Sequence, residues 1–220
     1  VLHEGGTVRA AQGSIAFKDC DSLTILLAAD TDYLNQRDRG WRGEHPHARL
    51  CAQLAAAAQT PYEHLRAAHV QDYQALFNRL NLDLGVSSPE RRGLPSNERI
   101  KAFGDDDAVN HDPELEALYF QYARYLMISS SRAGALPANL QGLWNHKNKP
   151  AWRSDYHSDV NIQMNYWFVD QVNLSECFGP LAEWLHSIRA VRRDETKQAF
   201  GTRGWMTHSE NGIFGGSSYH

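Results

Sequence analysis

Between Leu136 and Leu181 the chain reads LPANLQGLWNHKNKPAWRSDYHSDVNIQMNYWFVDQVNLSECFGPL, where amides, aromatic rings and aliphatic residues are interleaved too densely for an ordinary core or surface. Asn139, Gln141, Asn145, Asn148, Asn161, Gln163 and Asn165 stand beside Trp144, Trp152, Tyr156, Tyr166 and Trp167. From about Val160 to about Leu174 the pattern is apolar nearly all round and predicts a buried helix. One polar stripe interrupts it, because i, i+4 spacing puts Asn161 and Asn165 on one face. An amide is costly to bury unpaired, so this stripe must face a polar cavity, a ligand or a satisfied hydrogen-bond network. Amides that pair with hydroxyls, set among indoles that cover C–H faces, suit a neutral, polyhydroxylated ligand.

The bulk properties narrow the alternatives. A length of 220 residues allows one large domain or two small ones with an adequate core. A net charge of −4 gives no electrostatic footprint for nucleic acid, and no apolar run approaches the ~20 residues that a membrane span needs. Cys20, Cys51 and Cys177 are widely spaced and never form CxxC, so they read as reduced and structural. The 11 histidines include no HExxH and no close cluster at ligand spacing, and no glycine-rich phosphate loop is present. Neither metal nor cofactor is therefore expected. No charged n-region with an apolar stretch follows Val1, and the chain reads as a fragment that opens in mid-strand and closes on GGSSYH.

Residues 7–29 hold TVRAA, SIAF and SLTILLAA, short strand-like runs separated by Gly13 and an Asp19–Asp21 turn. Pro46 opens a predicted helix through ARLCAQLAAAA. Thr60, Pro61 and Glu63 then predict a capping box for a second helix, along which Leu65, His69, Tyr73, Leu76 and Leu80 recur at helical spacing. Residues 86–111 lack periodicity and contain Pro89, Gly93, Pro95, Gly104 and the acidic run Asp105–Asp107, which predicts a long exposed loop. Asp112-Pro113 starts a helix to about Arg132 whose apolar positions cover several faces. Another helix is predicted over Pro180–Phe200, with Arg189, Arg192, Arg193, Asp194, Glu195 and Lys197 as its solvated face.

The motifs LPANLQGLWN, Asp155-Tyr156-His157, Asn161 with the following QMNYW, and NLSEC with Pro180-Leu181 together resemble the catalytic domain of glycoside hydrolase family 95. That family comprises inverting α-L-fucosidases with some α-L-galactosidases. Weaker likeness extends from YEHLRAAHVQDYQALFNRLNLDLG at residues 62–85, through ALYFQYARYLMISSSR, to GWMTH. The resemblance implies a mainly α fold. Residues 1–40 would end a β-sandwich domain, 41–111 would form a helical linker and loop, and 112–220 would begin an (α/α)6 barrel. It also implies a fucosylated oligosaccharide or glycan as partner and a periplasmic or extracellular setting.

Within the motif, His157, Asp159 and Asn161 alternate where the loop enters the predicted helix. The family reads His-x-Asn-x-Asn there, so Asn161 matches the Asn that positions the attacking water, and Asp159 departs from the first Asn of the pair. An amide oxygen is a poor base and draws a proton from water only when a carboxylate polarises it. Inversion further requires an acid on the leaving-group side, across a gap of roughly 6.5–9.5 Å. In the family that general-acid Glu and the assisting Asp lie downstream of this motif, beyond residue 220, so this chain by itself is expected to be inactive. Glu176, Glu183 and Glu210 match neither.

Asp159 has two readings, a contact to sugar or water, or a helix N-cap worth ~1 kcal/mol. His157 is read as a ligand contact, against a core histidine satisfied by a carbonyl, with Asp155 able to orient it. Trp144 and Trp152 are candidate stacking platforms, and His208 a further contact, each against a plain packing role. The expected activity is release of terminal α-L-fucose, α1,2-linked, with inversion. The alternatives are an α-L-galactosidase on the same fold and a non-catalytic glycan-binding protein.

Overall fold

The computed structural model describes residues 1–103 and 111–219, and helices dominate its regular structure. The chain divides into two compact units, Val1–Asp72 and Tyr73–His220.

The first unit opens with two antiparallel strand pairs. β1 (Leu2–Glu4) pairs with β4 (Ser22–Thr24), Leu2 opposite Thr24, and β2 (Thr7–Ala11) pairs with β3 (Ser14–Lys18), Thr7 opposite Lys18. Both pairs are thinly covered, so Ile15 and Phe17 stay exposed. α1 (His47–Ala58) starts behind Pro46 as its pattern predicts. α2 (Tyr62–Phe77) follows and continues past Asp72 into the second unit. The Thr60 hydroxyl, expected in a capping box ahead of α2, donates back to the Ala56 carbonyl at 3.1 Å, at the end of α1. Cys51 is exposed on α1, outside any core, whereas Cys177 is fully buried; both thiols and that of Cys20 are free.

The deeply buried apolar side chains among the described residues all lie in the second unit, around Trp184, Ile128, Ile188, Leu174 and Val169. Two short helices, α3 (Pro89–Arg92) and α4 (Ser96–Ala102), occupy what the sequence predicts as loop. They are too short to show a period, and tertiary contacts fix them. Ser88 caps α3, Arg92 pairs with Glu114 at 2.9 Å, and Arg99 pairs with Asp112. Gly104 and the acidic run of that predicted loop lie outside the described residues.

α5 (Pro113–Ser130) begins where Asp112-Pro113 predicts, with Asp112 accepting from the Leu115 N–H at 3.2 Å. It is not buried on several sides. Leu115, Met127 and Ile128 face inward, while Leu118, Tyr119 and Tyr122 stay exposed and, with Ile100 and Phe103, line an apolar groove of about 530 Å³. The fully buried Arg124 donates to the carbonyls of Leu76, Phe77 and Leu80, satisfying the end of α2.

α6 (Asn161–Tyr166) is much shorter than the predicted helix to Leu174, because the chain breaks into turns and Asn173 takes a left-handed φ of 57°. A buried relay ties it down. The Ala138 N–H donates to the Tyr166 hydroxyl, which donates to Ser131 Oγ, which donates to the Cys177 carbonyl, over 2.8, 2.8 and 2.7 Å. Burial pushes the Tyr166 phenol upward in pKa, so it keeps its proton for this chain.

α7 (Gly179–Phe200) buries Trp184 and Ile188. Arg192 belongs to this buried side and not to the predicted solvated face. It is 2% exposed and donates to the carbonyls of Met206 and Gly215, and it also pairs with Glu195. Gly215 takes φ +81° against α7, where a Cβ would sit 3.0 Å from that of Ile188. These contacts hold the hairpin of β5 (Glu210–Asn211) and β6 (Ser217–Ser218) onto α7.

Candidate active site

The site is built on an extended segment, residues 155–158, fastened to the 208–211 segment. The Tyr156 N–H donates to the Asn211 carbonyl at 3.0 Å and the Ser158 N–H to that of Ser209 at 2.7 Å. Asn211, 2% exposed, lies at the centre. Its Nδ2 is 3.0 Å from the Tyr156 carbonyl, 2.8 Å from Ser158 Oγ and 2.9 Å from the His208 carbonyl, and its Oδ1 accepts from Ser217 Oγ at 2.7 Å. Successive side chains of an extended segment point to opposite sides. Tyr156 packs on Trp184, with ring centroids 4.5 Å apart, and His157 meets Trp152 edge-to-face at 5.5 Å.

His157 is buried, and its Nδ1 lies 3.2 Å from Asp155 Oδ2. The turn Ala151–Ser154 that carries Trp152 is strained: Trp152, Arg153 and Ser154 all take left-handed φ values, of 54°, 58° and 52°. An ion pair holds it, Arg153 reaching Glu210 Oε2 at 3.0 Å. Glu210 also accepts from Ser218 Oγ, so this buried carboxylate ties the turn to the hairpin. A cavity of about 360 Å³ opens here, lined by Asn139, Arg153, Asp155, Glu210, Asn211 and Ser218 among others.

Asp159 and Asn161 are both exposed and flank Val160, a β-branched residue held at φ 74°. This kink decides what caps α6. Val160 occupies the cap position, the His157 carbonyl accepts the Ile162 N–H at 2.9 Å, and the Val160 carbonyl accepts that of Met164 at 2.8 Å. Asp159 therefore caps nothing, and the N-cap reading is corrected: its carboxylate is left to solvent or ligand. The amide stripe also divides. Asn165 spends its Nδ2 on the Asn139 carbonyl at 3.3 Å, while Asn161 keeps an exposed amide as the first residue of the helix.

The other candidates are dispersed. Trp144 is 49% exposed with one ring edge over Gly142, where φ +65° and a Cβ position 2.8 Å from the ring admit only glycine. Trp152, 56% exposed, joins the site through His157. His208 is half-buried and packs against Tyr219 in a tilted contact, with ring centroids 3.8 Å apart. Glu176 and Glu183 are exposed, the former paired with Arg79. Asn211 and Arg153 organise the site without having been singled out for it, since only the pairing of segments some 50 residues apart gives them their roles. Among the described residues no group of three or more His, Cys, Asp or Glu side chains is placed to hold a metal.

The class of this helical protein with its amide-and-aromatic site follows from comparison with known families: residues 61–220 match the glycosyl hydrolase family 95 catalytic domain, and the chain belongs to that family. It is 39% identical, over 97% of its length, to a probable alpha-fucosidase A of Aspergillus niger. It is also 34% identical over 99% of its length to alpha-L-fucosidase 2 of Arabidopsis thaliana, and 33% identical over 96% to a probable alpha-fucosidase A of Aspergillus oryzae. The chain spans 26%, 26% and 30% of the length of these relatives.

Proposed function

We propose that the complete protein is a glycosidase that releases terminal α-L-fucose, α1,2-linked, from oligosaccharides or glycans with inversion at the anomeric carbon. The observation that carries this reading is the exposed pair Asp159 and Asn161 on either side of the kinked Val160. Two acceptor groups at the start of a helix, one amide and one carboxylate, can share a water between them. Asn161 holds the attacking water through its amide oxygen, and Asp159 contacts that water or a sugar hydroxyl. His157 contacts the sugar, and the exposed faces of Trp152 and Trp144 stack on its C–H surfaces. The names of the relatives support fucose as the sugar. The same reading places α5, α6 and α7 in an (α/α)6 barrel.

The test is proton NMR of 2′-fucosyllactose with the complete protein. First appearance of β-L-fucose is the expected outcome, while α-L-fucose at first appearance means retention. Asn161→Gly should lower kcat by about 100-fold or more, the scale of losing one pre-organised polar group. A variant of undiminished kcat would remove Asn161 from the mechanism.

A further inference from the structure

Asp155 has no part in the chemistry proposed above, yet its surroundings are not those of a structural carboxylate. Asp112 of the same unit provides the contrast. Fully buried, it accepts from Ser87 Oγ at 2.5 Å, from Arg99 Nε and Nη2 at 2.9 and 2.6 Å, and from the Leu115 N–H at 3.2 Å. Both of its oxygens are used and its charge is neutralised. Asp155 is also about nine-tenths buried, at 10% side-chain exposure, but its Oδ1 is buried with no hydrogen-bond partner, and its Oδ2 is directed at His157 Nδ1. A buried carboxylate oxygen without a donor is destabilising. The one side-chain contact that offsets this cost is the one to His157, so the role of Asp155 is sought there.

From this geometry we infer that Asp155 is a positioning residue: it takes the His157 Nδ1–H and fixes the imidazole in the Nδ1–H tautomer, which makes Nε2 the acceptor nitrogen of the ring whose contact with the sugar is proposed above. The logic is that of any histidine whose second nitrogen is set by the bond the first one makes. The backbone extends the effect. The His157 carbonyl accepts the Ile162 N–H in the first turn of α6, so the residue whose ring Asp155 holds also anchors the helix that begins at Asn161. Trp152 packs edge-to-face with the same imidazole. Ring orientation and helix start thus meet in one residue, the first through its side chain and the second through its backbone carbonyl.

The inference rests on the fucosidase reading for its consequence in catalysis, and the test separates the two. In the complete protein, the side-chain ¹⁵N shifts of His157 should report Nδ1–H. In Asp155→Asn, with its amide oriented to donate to the ring, they should report Nε2–H. On 2′-fucosyllactose the same variant should lose about 10- to 100-fold in kcat/KM, mostly through KM, with its unfolding temperature nearly unchanged. Asp155→Glu should restore part of both signals, which a merely structural role would not predict. An Nε2–H tautomer in the unsubstituted protein overturns the inference without any variant. So does an Asp155→Asn variant whose tautomer or kcat/KM is unchanged. If the unsubstituted protein shows Nδ1–H but cleaves no fucoside, the fucosidase reading fails and the tautomer assignment stands.

Discussion

Asn211 is the residue on which the site's geometry most depends. Its single amide faces three carbonyls and a hydroxyl on its Nδ2 side and a hydroxyl on its Oδ1 side, joining residues 156–158, 208–209 and 217. Replacing it with Leu, of similar size, leaves several of those groups buried without a partner. The expected cost is about 3 kcal/mol, read by urea unfolding, and the proposed fucoside cleavage by the complete protein should fall further than stability alone explains. A Leu variant as stable as the parent would show that water or neighbouring groups replace the amide. Asp159 shows the converse. Its type and place match a helix cap, and the left-handed Val160 moves that position away from it. Sequence reveals which residues carry hydrogen-bonding groups but not where a backbone kink will aim them.

At the level of elements, the start of α5 was legible and its surroundings were not. Asp112-Pro113 combines a good cap with a proline at the first helical position, a local signal that needs no tertiary information. α3 and α4 were illegible because four and seven residues are too few for a period, and long-range pairs such as Arg92–Glu114 and Arg99–Asp112 hold them. α6 was predicted too long, since apolar residues in turns, such as Val169, Val172 and Leu174, are buried as if they were helical. The Arg99 guanidinium, helped by Ser87 Oγ and the Leu115 N–H and opposed by burial, holds the Asp112 carboxyl well below the usual carboxylate range. A carboxyl lowered by folding stabilises the fold above its unfolded pKa of ~3.9 and loses that contribution as pH falls below it. Asp112→Asn should therefore cost about 3 kcal/mol at neutral pH. The gap to the parent should narrow as pH falls below ~4, which thermal unfolding at several pH values will show. A gap independent of pH would exclude the charge as its source.

For the molecule as a whole, the balance between buried and exposed apolar surface is the informative quantity. Tyr119 is 77% exposed, and with Leu118, Tyr122 and Ile100 it leaves the α4–α5 groove uncovered in this chain. The 220-residue chain prepared by itself should bind ANS strongly and associate as its concentration rises, checked by dye fluorescence and light scattering. A monodisperse chain with no dye binding would mean that these side chains are covered in solution. The sequence alone determined the helical class, the capped start of α5, the long α7 and the concentration of amides and indoles between Leu136 and Leu181. Each depends on residues within a turn or two of one another, or on motifs read directly as residue types. Only the tertiary structure decided which of those groups become a site. It paired residues 156–158 with 209–211, turned Arg192 from a presumed surface charge into a buried clasp, spent Asn165 on a carbonyl while leaving Asn161 exposed, and set Asp155 against His157. Most of those outcomes follow from contacts between residues far apart in the chain, and the kink at Val160 that separates Asp159 from the cap is held by the surrounding fold, so neither composition nor spacing encodes them locally.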